Sequence, residues 1–305
     1  MRALITGISG FVGPYLTKAL LSAGYDVYGL DRNKCECNDC SCVSCDITDS
    51  VAVQRAIADA KPDFIFHLAG QSSVRRSFDE PELTYKINVE GTNNILAALV
   101  NLNIKPKVLV VSSADVYGEP ESLPIDEDAE LSPKSPYAES RVEQEEIALR
   151  YKEEYGIPVI ISRSFSHTGP GQPANFVCPN FSKQVALVKK GKQSVIKVGN
   201  IDVKRDFTDV RDMVKAYRIL AEKGAAGEIY NAGSGKSYSL RQVLDILLKE
   251  ANTEAKIEQD PSRIRKKDPQ EILGDNSKLS ALGWRPEIPF EKTLKDLLAY
   301  WMERA

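Results

Sequence analysis

The stretch Thr6-Gly7-Ile8-Ser9-Gly10-Phe11-Val12-Gly13 decides the fold of this 305-residue chain. It follows the apolar run Ala3-Leu4-Ile5 and leads into the helical spacing of Leu16 and Leu20. That order predicts a strand, a glycine turn and the first turn of a helix. The backbone N–H groups at such a helix start form a binding site for an anion.

The three glycines have the roles that a dinucleotide site requires. Gly7 permits the tight turn, Gly10 lets the backbone approach a pyrophosphate, and Gly13 lets helix and strand pack closely. A second apolar run, residues 25–30, ends at Asp31. An acid about 20 residues after the glycines is expected to bond the adenosine ribose. An ordinary strand–helix turn is the alternative, but the strand, helix and acid together favour a Rossmann site for NAD or NADP.

Composition indicates an ordinary globular protein. Hydrophobic residues make up 42% of the chain and charged residues 27%, and the net charge is −3. This charge argues against nucleic acid or an anionic membrane as partner. The sequence has no apolar stretch of membrane-spanning length, and a core-like strand begins directly after Arg2, which leaves no room for a signal peptide. We therefore expect a cytoplasmic protein.

Five of the six cysteines lie within eleven residues after Asp31. They are Cys35, Cys37, Cys40, Cys42 and Cys45. One interpretation is a surface loop of reduced thiols, as expected in a reducing compartment. The alternative is a structural metal site, because two Cys-x-x-Cys pairs have the spacing of metal ligands. Five thiols exceed a four-ligand site, so our prediction is that the chain has no metal centre.

The remainder of the first half alternates strands with helices. Apolar runs at 63–68, 107–111 and 159–161 predict buried strands, and residues 81–102 and 136–155 predict helices. Such alternation predicts an α/β fold with a doubly wound parallel sheet. Ligands bind beyond the carboxyl ends of such strands. The strand ends near Gly7, Ala69, Ser113 and Arg163 should therefore converge on one cleft.

The pattern changes past residue 165, where prolines and glycines cluster and basic residues multiply. We therefore expect a Rossmann domain over residues 1–165 and a smaller C-terminal α/β substrate domain over residues 166–305. The segment 207–231 again has the pattern of a helix followed by a strand. We expect it to return to the first domain.

Tyr137 and Arg141 are the first candidates for catalysis. They lie one turn apart at the start of a predicted helix and face the same way. Beside a cation a phenol gives up its proton more readily, and Ser113 at a strand end can bond the same substrate oxygen. Such a set can assist hydride transfer to a carbonyl, because the cofactor supplies the hydride and the protein supplies the proton. A chance pair on a surface helix is the alternative.

Several motifs resemble the extended short-chain dehydrogenase/reductase family, whose members act on nucleotide-diphosphate sugars. They are the glycine turn, His67-Leu68-Ala69, Ser113-Ala114-Asp115-Val116-Tyr117-Gly118 and Ser135-Pro136-Tyr137. The downstream segments 163–172, 175–177, 198–200 and 205–212 resemble the GDP-mannose branch of that family. The resemblance covers essentially the whole chain.

The resemblance implies roles for individual residues. Ser113, Asp115, Tyr137 and Arg141 would be catalytic. The implied cofactor contacts are Gly7, Gly10, Phe11, Val12, Gly13, Asp31, Arg32, Asp46, Ile47, Leu68, Ala69, Gly70, Tyr137 and Arg141. The implied substrate contacts are Ser73, Asp115, His167, Asn175, Val177, Arg205 and Arg265. The two arginines match residues that grip the diphosphate, which suits a planar guanidinium. A solvated charged face is the alternative for the run that contains Arg265.

The chain departs from the family pattern at the site. Arg141 stands where the family usually has a lysine. The arginine keeps the positive charge, but its side chain is longer and cannot shuttle a proton. Asp115 stands where dehydratases carry a glutamate base, Ala114 replaces a neighbouring acid of related enzymes, and Ser166 replaces an asparagine. Elimination needs a well-placed base and reduction does not. The departures therefore favour a reductase.

The leading prediction is NAD(P)H-dependent reduction of the 4-keto group of a GDP-4-keto-6-deoxy-hexose, as in GDP-rhamnose-type deoxysugar synthesis. A GDP-mannose 4,6-dehydratase, a nucleotide-sugar 4-epimerase and a non-catalytic dinucleotide sensor stay open. Asp31 favours NADH, and the neighbouring Arg32 allows some use of NADPH. The helices at 81–102 and 136–155 resemble the family's dimer interface. We therefore expect a homodimer, with Ile87, Ile95, Leu96 and Leu99 as an apolar surface of which part must face the protein's own sheet.

Overall fold

The computed structural model describes residues 1–33, 39–264 and 268–305. Within these ranges the chain forms thirteen strands and eleven α-helices. The strands are β1 (Arg2–Thr6), β2 (Asp26–Asp31), β3 (Ser41–Ser44), β4 (Phe64–His67), β5 (Lys107–Ser113), β6 (Val159–Ser164), β7 (Ser166–Thr168), β8 (Val195–Val198), β9 (Lys204–Asp209), β10 (Ile229–Ala232), β11 (Ser237–Ser239), β12 (Lys256–Gln259) and β13 (Glu271–Ile272).

The helices are α1 (Gly13–Ser22), α2 (Ser50–Ala60), α3 (Val74–Asp79), α4 (Pro81–Tyr85), α5 (Gly91–Asn101), α6 (Pro136–Tyr155), α7 (Val177–Lys189), α8 (Val210–Lys223), α9 (Leu240–Glu250), α10 (Ser277–Ala281) and α11 (Phe290–Met302). The helix predicted at 81–102 is thus divided into α4 and α5. A π-helical segment, Lys86–Glu90, joins them. The helix predicted at 136–155 is α6.

A seven-stranded sheet forms the centre of the molecule, with the strand order β10-β6-β5-β4-β1-β2-β3. All of its strand pairs are parallel. The order reverses at β1, the strand that precedes the glycine turn. Such a reversal creates a crevice at the carboxyl ends of the strands. The doubly wound α/β fold predicted from the sequence is therefore confirmed.

Helices cover both faces of this sheet, as a parallel sheet requires. Leu16 and Leu20 of α1 and Tyr217 of α8 lie in the core cluster on one face. Ile57 of α2 and Leu99 of α5 lie in the cluster on the other face. All five side chains are fully buried. The apolar stripe of each helix thus meets the sheet, which fixes the position of the turns above it.

The later part of the chain adds smaller sheets and a further core. Strand β9 pairs with β7, β11 and β13, and β8 pairs with β12. Helices α7, α9 and α11 share a core that contains Val185, Leu247 and Leu297. Strand β10, inside the segment predicted to return, lies beside β6 at the edge of the central sheet. The proposed division into two domains stays a prediction.

The structure corrects the prediction for the cysteine region. Ser41–Ser44 forms β3, a parallel edge strand that pairs Cys42 with Gly29 of β2, and not a loop. The cysteine spacing gave no sign that this segment forms a strand, which hydrogen-bonds to the outer edge of β2. Cys40 and Cys42 are disulfide-bonded, so the expectation of reduced thiols is wrong for both, whereas Cys45 is a buried free thiol.

Cys35 and Cys37 lie outside the described residues. Among the residues that are described, no group of three or more His, Cys, Asp or Glu side chains could hold a metal ion. In the same part of the chain, no helix is both long enough and apolar enough to cross a bilayer.

The structure shows which part of the expected apolar dimer surface faces the chain's own sheet. Ile95, Leu96 and Leu99 of α5 are fully buried in the chain's own core, and Ile87 is partly buried against it. Ile95, Leu96 and Leu99 therefore offer no surface to a second copy, whereas Ile87 keeps part of its surface exposed. Helical periodicity identifies an apolar stripe but not the surface that covers it.

Candidate active site

The site lies where the carboxyl ends of four adjacent strands meet. Strands β6, β5, β4 and β1 lie side by side in the sheet. Ser113 is the last residue of β5, His67 of β4 and Thr6 of β1. A shallow groove of about 880 Å³ lies at the opposite edge, lined by residues such as Met1 and Lys107. Parallel sheets bind ligands at their carboxyl ends, so we assign the site to the edge with the glycine turn.

The glycine turn packs so closely against neighbouring backbone that it admits no side chains. Gly7 has a φ of +73°, and a Cβ there would lie 2.9 Å from the backbone of Ala69. A Cβ at Gly13 would overlap the carbonyl oxygen of Ile8. Helix α1 begins at Gly13, and within the described residues no side chain caps its first N–H groups. The turn therefore presents uncapped donors, which suit a pyrophosphate.

Asp31 lies at the end of β2, beside this turn. Its Oδ2 accepts a hydrogen bond of 3.0 Å from the Ser9 N–H, and its Oδ1 accepts one of 3.0 Å from the Asn33 N–H. The carboxylate thus holds the glycine turn to the end of β2. Arg32 is exposed directly after it.

Asp46 and Ile47 follow β3 on the same side of the sheet. Hydrogen bonds from the backbone N–H and hydroxyl of Thr48 lower the pKa of Asp46. Ile47 is buried against α5, and a Cβ at Gly91 would lie 2.5 Å from its Cδ1. The chain thus places a charged and an apolar side chain together at the predicted adenine end.

Ser113, Asp115 and Tyr137 lie on elements that pack together. Ser113 ends β5, and its Oγ accepts a hydrogen bond of 3.2 Å from the Asp115 N–H. Asp115 is exposed on a single 3₁₀ turn. Tyr137 is buried in the first turn of α6, where Ser135 caps the helix. Helix α6 packs against β5, which keeps the tyrosine at the strand end.

Arg141 is buried beside Tyr137, as the i,i+4 spacing predicted. Its guanidinium carbon lies 5.2 Å from the centre of the Tyr137 ring. Its Nη1 donates to the Val111 carbonyl at 3.1 Å and to Gln144 Oε1 at 2.7 Å. Its Nε is buried and has no hydrogen-bond partner among the residues described. The described residues thus leave this buried donor unsatisfied.

Gln144 is a residue of this site that the sequence analysis missed. It is fully buried and lies three residues after Arg141 and seven after Tyr137 on α6. Its Nε2 donates to Thr92 Oγ1 at 2.7 Å. The available signal was its spacing, which places it on the same helix face as the tyrosine and the arginine.

His67 is buried below the site, on β4. Its ring nitrogens contact Thr6 Oγ1 at 2.7 Å and Thr92 Oγ1 at 2.8 Å. Burial, with a smaller effect of the Arg141 charge, lowers the pKa of His67 to about 3. The ring is therefore neutral at physiological pH. Leu68, Ala69 and Gly70 follow it, with the Ala69 N–H donating to Thr6 Oγ1 at 3.2 Å.

Four of the predicted substrate contacts lie in different parts of the chain around this end of the sheet. Ser73 caps α3 and accepts from the Arg76 N–H at 3.2 Å. His167 on β7 stacks on Phe11 of the glycine turn, with ring centres 6.3 Å apart, and burial lowers its pKa. Val177 begins α7, two residues after the exposed Asn175. The stack brings the β7 segment against the glycine turn.

Arg205 on β9 is paired within the chain. Its guanidinium forms an ion pair with Asp268 and donates to the Pro269 carbonyl at 2.9 Å. Both charged side chains of the pair are largely buried. Arg265, the second predicted diphosphate ligand, lies outside the described residues.

A family model described as GDP-mannose 4,6 dehydratase matches residues 4–297. The chain belongs to this family. Its structural neighbours include epimerases and dehydratases of the short-chain dehydrogenase/reductase type. Membership agrees with the resemblance found in the glycine turn and the tyrosine motif.

Individual relatives span the whole chain. GDP-6-deoxy-D-mannose reductase of Pseudomonas aeruginosa is 35% identical over 99% of this chain and 98% of its own length. GDP-mannose 4,6-dehydratase of Vibrio cholerae is 28% identical over 99% of this chain and 94% of its own. The solved structure of RMD from Pseudomonas aeruginosa with NADPH has a TM-score of 0.90 and 34% identity, and covers 100% of this chain and 99% of that one.

Proposed function

We propose that this protein is an NAD(P)H-dependent reductase of the 4-keto group of a GDP-4-keto-6-deoxy-hexose. The observation that carries the proposal is the buried Tyr137–Arg141 pair beside the end of β5, one strand from β4 and two from the glycine turn. The full-length similarity to a GDP-6-deoxy-D-mannose reductase supports the same activity.

The residues present fit a dinucleotide. The glycine turn packs without side chains against the chain's own backbone, the start of α1 presents uncapped N–H donors that suit a pyrophosphate, and the Asp31 carboxylate suits the hydroxyls of the adenosine ribose. The unpartnered Arg141 Nε suits a ribose oxygen at the nicotinamide end. When bound, the reduced nicotinamide supplies a hydride to the carbonyl carbon of the sugar.

The side chains then complete the reduction. Tyr137 donates its phenolic proton to the oxygen that the hydride leaves negatively charged, and Ser113 donates a hydrogen bond to the same oxygen. Arg141 stabilises the phenolate that remains, because its charge lies against the ring. The C=O becomes a CH–OH, and solvent returns the proton to Tyr137.

The GDP part of the substrate needs cations at the other side of the cleft. Arg205 is a candidate for the diphosphate, and Arg265 stays a prediction from sequence. His167, Asn175, Val177, Ser73 and Asp115 lie on elements around the same edge and are proposed to contact substrate. A cytoplasmic location and a homodimer also remain proposals.

A 4,6-dehydratase is the second candidate, because Asp115 is exposed on the turn after β5 and a dehydratase from Vibrio cholerae is 28% identical. Dehydration needs a base at sugar C5, and an aspartate is shorter than the glutamate typical of that position. Reduction needs no such base, which supports the first proposal.

The test uses the purified protein with two substrates. With GDP-4-keto-6-deoxymannose and NADH or NADPH, we expect oxidation of the cofactor and formation of a GDP-6-deoxyhexose. With GDP-mannose and no added cofactor, we expect no product. A 4-keto sugar formed in the second reaction would instead establish the dehydratase, and cofactor binding without either reaction would establish a sensor.

A further inference from the structure

The seat of the Arg141 guanidinium is built from three neighbours. The Val111 carbonyl and Gln144 Oε1 both accept from Nη1. On the other side lies Gly70, where a Cβ would approach Nη2 to 2.6 Å. The absence of a side chain at Gly70 thus leaves room for a group longer and wider than a lysine ammonium.

The side-chain amide of Gln144 is oriented by the proton of a neighbouring hydroxyl. Thr92 Oγ1 lies 2.6 Å from the Asn88 carbonyl, which can only accept, so the hydroxyl proton lies between them. Thr92 Oγ1 must then accept from its other partners, Gln144 Nε2 and His67 Nε2. With Nε2 directed to Thr92, the Gln144 carbonyl oxygen is presented to Arg141.

The same reasoning fixes the rest of the chain of hydrogen bonds. Because His67 Nε2 donates to Thr92, the neutral ring accepts at Nδ1, and Thr6 donates its hydroxyl proton there. Thr6 Oγ1 in turn accepts from the Ala69 N–H. A directed series therefore runs from Thr6, which opens the glycine turn, through His67, Thr92 and Gln144.

We propose that Gln144 is a positioning residue that holds the Arg141 guanidinium against Tyr137 and the cofactor. The part concerning Tyr137 rests on the proposed reductase function. An amide fits this place because it offers an acceptor to arginine and a donor to Thr92 at once. A leucine offers neither, and a glutamate offers only acceptors.

A double-mutant cycle separates positioning from simple structural support. The variants are Gln144→Leu, Arg141→Lys and the two combined. Dissociation constants for NADH and NADPH are measured by fluorescence, which requires no sugar. Loss of a hydrogen bond to a charged group corresponds to about 10- to 100-fold in affinity. We expect Gln144→Leu to weaken NADH binding within that range in the Arg141 protein.

In the Arg141→Lys background we expect Gln144→Leu to change NADH affinity by less than about threefold. The shorter lysine has no fork that reaches the amide, so nothing remains for Gln144 to position. Equal losses in both backgrounds, or no loss in the Arg141 protein, would overturn the proposal.

Two further variants separate this effect from damage to the fold. Gln144→Glu keeps an acceptor for Arg141, so we expect NADH affinity within a few-fold of the parent, although thermal stability falls because Thr92 must redirect its proton. Gln184→Leu removes another buried amide, which lies on α7 and donates to Asn180 Oδ1 and to the Lys197 carbonyl. This variant should lower stability without changing NADH affinity. Weakened NADH binding in Gln184→Leu to the same degree would refute the assignment.

The measurements also separate this inference from the proposed function. If the two substitutions are coupled in NADH binding but the protein does not reduce the GDP-keto sugar, the positioning role of Gln144 stands and the proposed reductase function is refuted. Where turnover is present, the same cycle applied to kcat should show a loss in Gln144→Leu that disappears in the lysine background. If the parent protein is an active reductase but the losses of NADH affinity in the two single variants simply add, only the positioning role of Gln144 is refuted.

Discussion

Tyr137 is the single proton donor of the proposed reaction, which makes its hydroxyl the most direct test at the scale of one residue. Tyr137→Phe should lower kcat by about 10²–10⁴-fold, the usual contribution of a positioned acid. The ring and its contact with Arg141 remain, so the dissociation constant for NADH should be nearly unchanged. Turnover close to that of the parent would contradict the assignment.

Asp31 is the residue that should set cofactor choice. Asp31→Asn removes the charge that repels a 2′-phosphate and keeps one of the two oxygens that accept from the Ser9 and Asn33 N–H groups. We expect the ratio of kcat/KM for NADPH to that for NADH to rise about 10- to 100-fold. Arg32→Ala is the matched variant and should lower the same ratio. An unchanged ratio in Asp31→Asn would show that other residues select the cofactor.

At the scale of elements, β9 pairs with β13, and Asp268 and Pro269, which precede β13, contact the Arg205 guanidinium. Asp268 competes with a diphosphate for the guanidinium. Asp268→Asn should therefore strengthen GDP binding several-fold. Arg205→Ala should weaken it by about 1.5–3 kcal/mol, the range for charged hydrogen bonds.

Calorimetric titration with GDP and NADH checks both changes, and NADH affinity should stay constant in each variant. Weaker GDP binding in Asp268→Asn would mean that the aspartate orients Arg205 and does not compete with the ligand. Loss of NADH affinity with GDP affinity retained would mean that the two nucleotide sites have been exchanged.

For the whole molecule, the buried histidines predict how stability depends on pH. The pKa of His67 is about 3 in the folded chain and returns to about 6.5 on unfolding. Between these values the unfolded chain takes up a proton that the folded chain excludes, so stability falls as the pH is lowered from about 6.5. His167 acts in the same direction, whereas burial raises the pKa of Asp206 and acts oppositely.

Urea unfolding of the parent and of His67→Gln isolates the first contribution. The parent should lose up to about 1.4 kcal/mol more per pH unit than the variant. Equal slopes between pH 6.5 and 4.5 would contradict the assignment of a neutral His67.

Assembly is the other property of the whole molecule that can be tested directly. A homodimer is the default for isologous packing of helices, and light scattering at micromolar concentration should give twice the chain mass of 33.7 kDa. Because Ile95, Leu96 and Leu99 are buried in the chain's own core, the interface must use other side chains of these helices. A monomer mass would refute the dimer.

The sequence by itself determined the features that depend on neighbours along the chain. Glycine spacing and the following helix start define the nucleotide cradle, because only local backbone geometry and the lack of Cβ atoms are involved. The i,i+4 spacing places Tyr137 and Arg141 on one face for the same reason. Alternation of strands and helices was sufficient for the parallel sheet.

Tertiary structure decided which distant groups share protons and which surfaces are covered. Thr6 meets His67 across 61 residues, Gln144 meets Thr92 across 52, and Arg205 meets Asp268 across 63. These contacts follow from strand register and helix packing, which no local pattern encodes. Helical periodicity likewise placed Leu99 on an apolar stripe, but only the packing of α5 decided that this side chain faces the chain's own core. A hydrogen bond or a buried face needs two partners, and the sequence specifies each partner without specifying that they meet.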